Sequence, residues 1–154
     1  MAVNGYSILL VEDDSNDILF VQRAFRQVNA TTPIQIVKDG DEAVDYLSGQ
    51  GNYADRDRHP LPALILLDLK LPRRSGVEVL TWVKQQPVIK RIPVVVLTSS
   101  QQDMDINRTY DLGISSYLVK PVSFGALSQM IAALDAYWLR LNEYPVLAAK
   151  QDLG

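Results

Sequence analysis

A chain of 154 residues with 47% hydrophobic and 21% charged side chains has the composition of one globular domain, not of a disordered segment or a coiled coil. Its 18 acidic residues outweigh 15 basic ones, so a formal charge of −3 gives no basic stripe for nucleic acid, and the length leaves no room for a second catalytic or DNA-binding domain. No cysteine and a single histidine, His59, exclude disulfides, a thiol nucleophile and a zinc site built on them. The N-terminal apolar run is too short for a signal segment, and no run approaches the roughly 20 residues of a membrane span. The expectation is a cytoplasmic protein in which residues 1–154 form one domain.

Taken in chain order, residues 6–11 form a short apolar run that ends in Glu12, Asp13 and Asp14. Ile18, Val21, Phe25 and Val28 then fall on one face of a helix that Asp14 or Ser15 can cap. A second run, Ile34–Val37, is followed by Gly40 and by a shorter helical pattern of Ala43, Val44 and Leu47. Residues 48–62 hold Gly49, Gly51, Asn52, Pro60 and Pro62 among charges and read as an exposed loop. The third run, 63–67, ends in Asp68, and Val77, Leu80 and Val83 mark a third helix. A fourth run, 94–97, ends in Thr98 and precedes a weakly amphipathic helix around 104–112. The fifth, Ser116–Val119, ends in Lys120 and Pro121, and Leu127, Met130, Ile131, Leu134, Trp138 and Leu141 give a long last helix.

Runs one, three and four are dense in Ile, Leu and Val, as strands buried on both faces of a parallel sheet are. Five strands alternating with five helices predict an α/β fold, a doubly wound five-stranded parallel sheet flanked by helices. In such sheets ligands bind beyond the carboxyl ends of the strands. The residues that end the runs are therefore the candidates: Glu12, Asp13, Asp68, Thr98 and Lys120. Any one of these acids alone would read as a helix cap. Carboxylates gathered at one edge repel, and a hard divalent cation, Mg²⁺ best, relieves the repulsion. Asp68 could then act as a nucleophile towards phosphorus, with Lys120 and Thr98 meeting phosphate oxygens.

The residues Leu9-Leu10-Val11-Glu12-Asp13, Asp68-Leu69-Lys70-Leu71-Pro72, Gly76, Val96-Leu97-Thr98-Ser99 and Tyr117-Leu118-Val119-Lys120-Pro121 resemble the receiver domain of bacterial response regulators over nearly the whole chain. The resemblance implies the flavodoxin-like receiver fold and Asp68 as phosphoacceptor. It implies that Glu12 and Asp13 help to bind Mg²⁺ with the backbone carbonyl of Lys70, and that Thr98 and Tyr117 form a switch. Glu12 stands where many relatives have Asp, and its longer arm is suited to acting through water. The loop before Leu64, the segment from Lys90 to Thr98 and the tail residues Tyr137-Trp138-Leu139 and Glu143-Tyr144-Pro145 are similar to the small receivers that partner cyanobacterial phytochromes.

Three alternatives have distinct signatures. An aspartyl phosphatase of the haloacid dehalogenase type would carry a second Asp where Lys70 stands. A flavodoxin would need a hydroxyl- and glycine-rich phosphate loop after the first strand, where Glu12-Asp13-Asp14 would repel the ligand. A degenerate receiver that only binds proteins would lack acceptor-site residues that are present here. The chain has no Gly-rich phosphate loop with a lysine, so the phosphoryl group is expected from a partner histidine kinase, of phytochrome type, and the chain itself is not expected to be an enzyme. Tyr137, Trp138, Leu139, Leu141 and Tyr144 surround the end of the last helix, and with no output domain to cover them the expected partner is a second copy, in a homodimer.

Overall fold

The structure, a computed structural model, describes residues 7–147. Strands β1 Ile8–Val11, β2 Ile34–Val37, β3 Leu64–Leu67, β4 Val94–Thr98 and β5 Ser116–Val119 pair in parallel in the order β2-β1-β3-β4-β5. Alternation along the three inner strands splits their side chains between two cores. Leu9, Val11, Ile65, Leu67, Val94 and Val96 pack under α2 Gly40–Ser48 and α3 Gly76–Gln85. Ile8, Leu10, Leu64, Leu66, Val95 and Leu97 pack under α1 Ser15–Gln27 and α5 Phe124–Leu134. Every residue of β1, β3 and β4 is buried, as their unbroken apolar character requires, while β5 at the edge is half-buried. The weakly amphipathic α4, Asp103–Asp111, buries Thr109 alone.

Local chemistry sets the helix starts. Asp14 caps α1, its side chain accepting from the N–H groups of Asn16 and Asp17, and Ser75 with Glu78 closes a capping box on α3. Strand limits differ from the sequence reading by a residue: β3 starts at Leu64, β4 extends to Thr98, and Tyr6 lies outside the described residues.

Two segments depart from expectation. Residues 48–62 are exposed only in part, because Arg56 donates to the carbonyls of Tyr46 and Leu47 at 2.7 Å, at the end of α2, and to that of His59 at 3.1 Å. The Tyr46 hydroxyl donates to the Pro60 carbonyl at 2.8 Å, and the Tyr53 and His59 rings pack edgewise on each other beside it. The last helix keeps α geometry only to Leu134 and continues as a π-helical segment, Asp135–Leu141. Asp135, buried, pairs at 2.9 Å with Arg140, five residues on, the spacing that π geometry stacks. Within this segment Trp138 and Leu139 pack on the α1/α5 core, and beyond it Tyr144 is half-buried, its hydroxyl donating to the Leu139 carbonyl. Of the five side chains expected in solvent at the helix end, Tyr137 and Leu141 are exposed.

Gly76 fixes the loop after β3. A Cβ there would strike the Asp68 carbonyl oxygen and lie 2.6 Å from the Leu69 Cα, both of them backbone that cannot swing away. Gly76→Ala is therefore expected to destabilise the chain by about 1–3 kcal/mol, the usual range of overpacking. Urea unfolding checks this, and a loss below about 0.5 kcal/mol would show that the loop has slack.

Candidate functional site

Because β1 has β2 on one side and β3 on the other, the chain winds outwards in both directions from the β1/β3 pair, and a crevice opens beyond their carboxyl ends. Val11 and Leu67 are paired in register, so Glu12 and Asp68 leave the sheet side by side, and the Asp68 N–H donates to the Val11 carbonyl. Thr98 pairs with Val119, and the Lys120 N–H donates to the Thr98 carbonyl at 2.8 Å. All five predicted run-ending residues thus reach one edge.

Glu12 and Asp68 are buried and Asp13 is exposed, and one carboxylate oxygen of each lies within 4.8 Å of the others, a spacing that a divalent cation can span. Lys120 Nζ sits 2.6 Å from Glu12 Oε1, 3.0 Å from Asp68 Oδ2 and 2.8 Å from Asp17 Oδ2. Asp68 Oδ1 accepts from the Leu69 N–H at 2.7 Å and more distantly from that of Lys70, whose side chain is exposed. The second oxygen of Glu12 accepts from the Asp14 N–H, so both of its oxygens are engaged, whereas Asp13 has no hydrogen bond among the described residues.

Thr98 is fully buried, yet its hydroxyl has no partner among the described residues, an uncommon state that suits an acceptor arriving in the crevice. The Tyr117 hydroxyl donates to the Ser100 carbonyl at 2.9 Å, and the Ser100 hydroxyl donates to Asp105 at 2.5 Å in the first turn of α4. Sequence reading missed Asp17 and Ser100. Asp17 looks like any acid favoured at a helix N-terminus, and its signal was only that it follows the Glu12-Asp13 pair by one helical turn.

Burial pushes the Glu12 carboxyl up to about 7, the hydrogen bond from Lys120 opposing and the charge of Asp68 reinforcing the rise. Burial alone would lower the Lys120 ammonium, but its bonds to Asp17 and Glu12 and the charge of Asp68 raise it, so it stays a cation. The arrangement is an acid cluster with one fixed positive charge and an idle hydroxyl, suited to a phosphoryl group and a divalent cation.

The sequence model of the response regulator receiver domain matches residues 8–132. The chain belongs to the response regulator receiver family. It is similar to the probable methanogenesis regulatory protein FilR2 of Methanothrix harundinacea, 39% identical over 94% of this chain and 90% of that protein. Response regulator Rcp1 of Synechocystis is 40% identical over 90% of this chain and 92% of Rcp1, and the structure of its Mn(2+)-bound form superposes with a TM-score of 0.83 over 92% of this chain and 99% of that one. The structure of the phosphorylated cyanobacterial phytochrome response regulator RcpA, 40% identical, gives 0.84 over 92% of this chain and 99% of RcpA. The receiver fold expected from the sequence is thereby established, and no helix among the described residues is long and apolar enough to cross a membrane.

The raised Glu12 gives this receiver a pH signature without metal. A carboxyl that holds its proton more tightly folded than unfolded contributes stability below its ordinary value of 4.5 and loses it as pH rises through about 7. Glu12→Gln, which mimics the protonated form, should therefore gain on the parent as pH rises from 5 to 8 in chelator, by on the order of 5 °C in Tm. Thermal unfolding across that range checks it, and a constant difference between the two proteins would contradict it.

Proposed function

We propose that this receiver accepts a phosphoryl group on Asp68 from the phosphohistidine of a partner histidine kinase. An Asp68 oxygen attacks phosphorus, the P–O bond forms as the P–N bond breaks, and the electron pair leaves with the imidazole. The observation that carries the reading is a buried carboxylate, Asp68, held beside the Lys120 ammonium with the unpartnered hydroxyl of Thr98 on the next strand. Lys120 supplies the positive charge for one phosphoryl oxygen and Thr98 the donor for another. Mg²⁺ bound by Asp13, Asp68 and the Lys70 carbonyl, with Glu12 acting directly or through water, would neutralise charge on the phosphoryl oxygens. The unpaired Asp13 and the Mn(2+)-bound form of Rcp1 support a divalent cation there. The protein is then a phosphoacceptor that at most promotes its own phosphorylation and dephosphorylation, and works in the cytoplasm. Drawing the Thr98 hydroxyl towards the phosphoryl group would change the packing against Tyr117, the residue that reports phosphorylation to partners.

The likeness to RcpA supports a phytochrome-type kinase as donor. Such a donor must present its histidine at the β1/β3 crevice, and outside the polar rim of that edge α1 and the segment after β5 carry exposed apolar side chains: Leu19, Phe20 and Val122, with the Phe20 ring 6.3 Å from Phe124. At the other end of the molecule exposed Tyr137 lines a groove along β5 with Leu118, Met130 and Trp138, and Leu141 is exposed at the end of the π-helical segment, which supports a homodimer through this region.

Asp68→Asn is expected to abolish acid-labile labelling from any phosphodonor; labelling that persists would remove Asp68 from its role. Leu19→Ser with Phe20→Ser should cut transfer from the kinase by about tenfold while leaving labelling by a small-molecule phosphodonor unchanged, a loss of the size given by two interface anchors. Equal effects on both donors would show that the surface serves folding instead.

A further inference from the structure

Lys120 faces three carboxylates, but two of them have another use. Glu12 and Asp68 belong with Asp13 to the cluster that a divalent cation would occupy, and their side chains are only 3% and 8% exposed. A cation entering that cluster and the Lys120 ammonium seek the same oxygens, and like charges so close repel. Asp17 is the one partner of Lys120 that stands outside the cluster. Its Oδ2 lies 2.8 Å from Nζ, and its side chain is 36% exposed.

Asp17 is also fixed in place. It sits in the first turn of α1, where the helix dipole favours an anion, and its N–H is held by the Asp14 side chain at 3.0 Å. An ammonium has three donors, so Lys120 can release Glu12 and still hold one anchored anion next to Asp68. We propose that Asp17 is a positioning residue: it retains Lys120 at the rim of the crevice when a divalent cation takes up Glu12 and Asp68, which eases cation entry and keeps the ammonium poised for the phosphoryl group. This rests on the receiver reading given above.

Without Asp17, the ammonium has only the cluster acids as partners, so a cation must displace it from its last anions. Calorimetric titration of the full chain with Mg²⁺ tests this through a double-mutant cycle of the parent, Asp17→Asn, Lys120→Met and the combined variant. Asp17→Asn is expected to weaken Mg²⁺ binding about fivefold when Lys120 is present, within the range of couplings between contacting side chains. In the Lys120→Met background the same change should weaken it by less than about twofold, since a part-exposed charge acts feebly through solvent. Equal weakening in both backgrounds would overturn the proposal, making Asp17 a mere charge in the field of the site, and so would an Asp17→Asn variant that binds Mg²⁺ like the parent. A parent chain that fails to bind Mg²⁺ at all would take down with it the Mg²⁺-dependent phosphoacceptor function proposed above, which separates the two failures.

Discussion

One ammonium group balances three carboxylates at the carboxyl edge of this sheet, and the arrangement of the site follows from that balance. Glu12 and Asp68 are buried side by side because their strands are hydrogen-bonded neighbours in register. Two buried anions at such a distance would be costly without a counter-charge. Lys120 supplies it from a strand two positions away from β3, so the edge is complete only when β1, β3 and β5 are all in place. The residual cost appears in the raised Glu12 carboxyl, which one lysine does not fully offset. A site left short of positive charge in this way is prepared to take a divalent cation.

Backbone packing holds the acids where the lysine can reach them. Gly76 lets the start of α3 lie directly against the Asp68 backbone, and Gly40 does the same between α2 and the Arg74 carbonyl. The loop from Asp68 to Ser75 is thereby clamped from two helices. Within it Arg73 adopts a left-handed conformation, φ 64°, with its guanidinium 3.6 Å from Asp39. Polar groups complete the opposite side of the crevice: Tyr117, Ser100 and Asp105 form a chain of hydrogen bonds from β5 to the first turn of α4, adjoining the unpartnered Thr98. Any ligand that engages Thr98 therefore acts next to a network that reaches an exposed helix.

The two ends of the molecule are built differently. The acid edge is dense in charge and hydrogen bonds, whereas the far end is closed by the Arg56 anchor on the α2 carbonyls and by the π-helical segment after α5. There the Arg91 guanidinium donates to the Val146 carbonyl and Leu147 packs against the α2/α3 core, tying the tail to the side of the sheet opposite α5. Residues beyond 132, where the match to the family ends, are thus integrated with the domain up to the limit of the described chain.

What the sequence by itself determined was whatever depends on residue type and short-range period. Unbroken runs of Ile, Leu and Val specified β1, β3 and β4 as inner strands, helical spacing placed α1, α3 and α5, and the polar residues closing the runs marked Glu12, Asp13, Asp68, Thr98 and Lys120. The tertiary structure decided what depends on distance between remote segments. Asp17 and Lys120 are 103 residues apart, and an acid in a first helical turn carries no mark of the lysine it will meet. The anchoring of residues 48–62 was hidden for the same reason, since Arg56 reads as a loop charge until α2 presents its carbonyls. The π-helical turn was equally illegible: apolar residues at 134, 138 and 141 satisfy an α period, and the pairing of buried Asp135 with the exposed Arg140 five residues on, the spacing of the wider turn, shows only once the tail is packed.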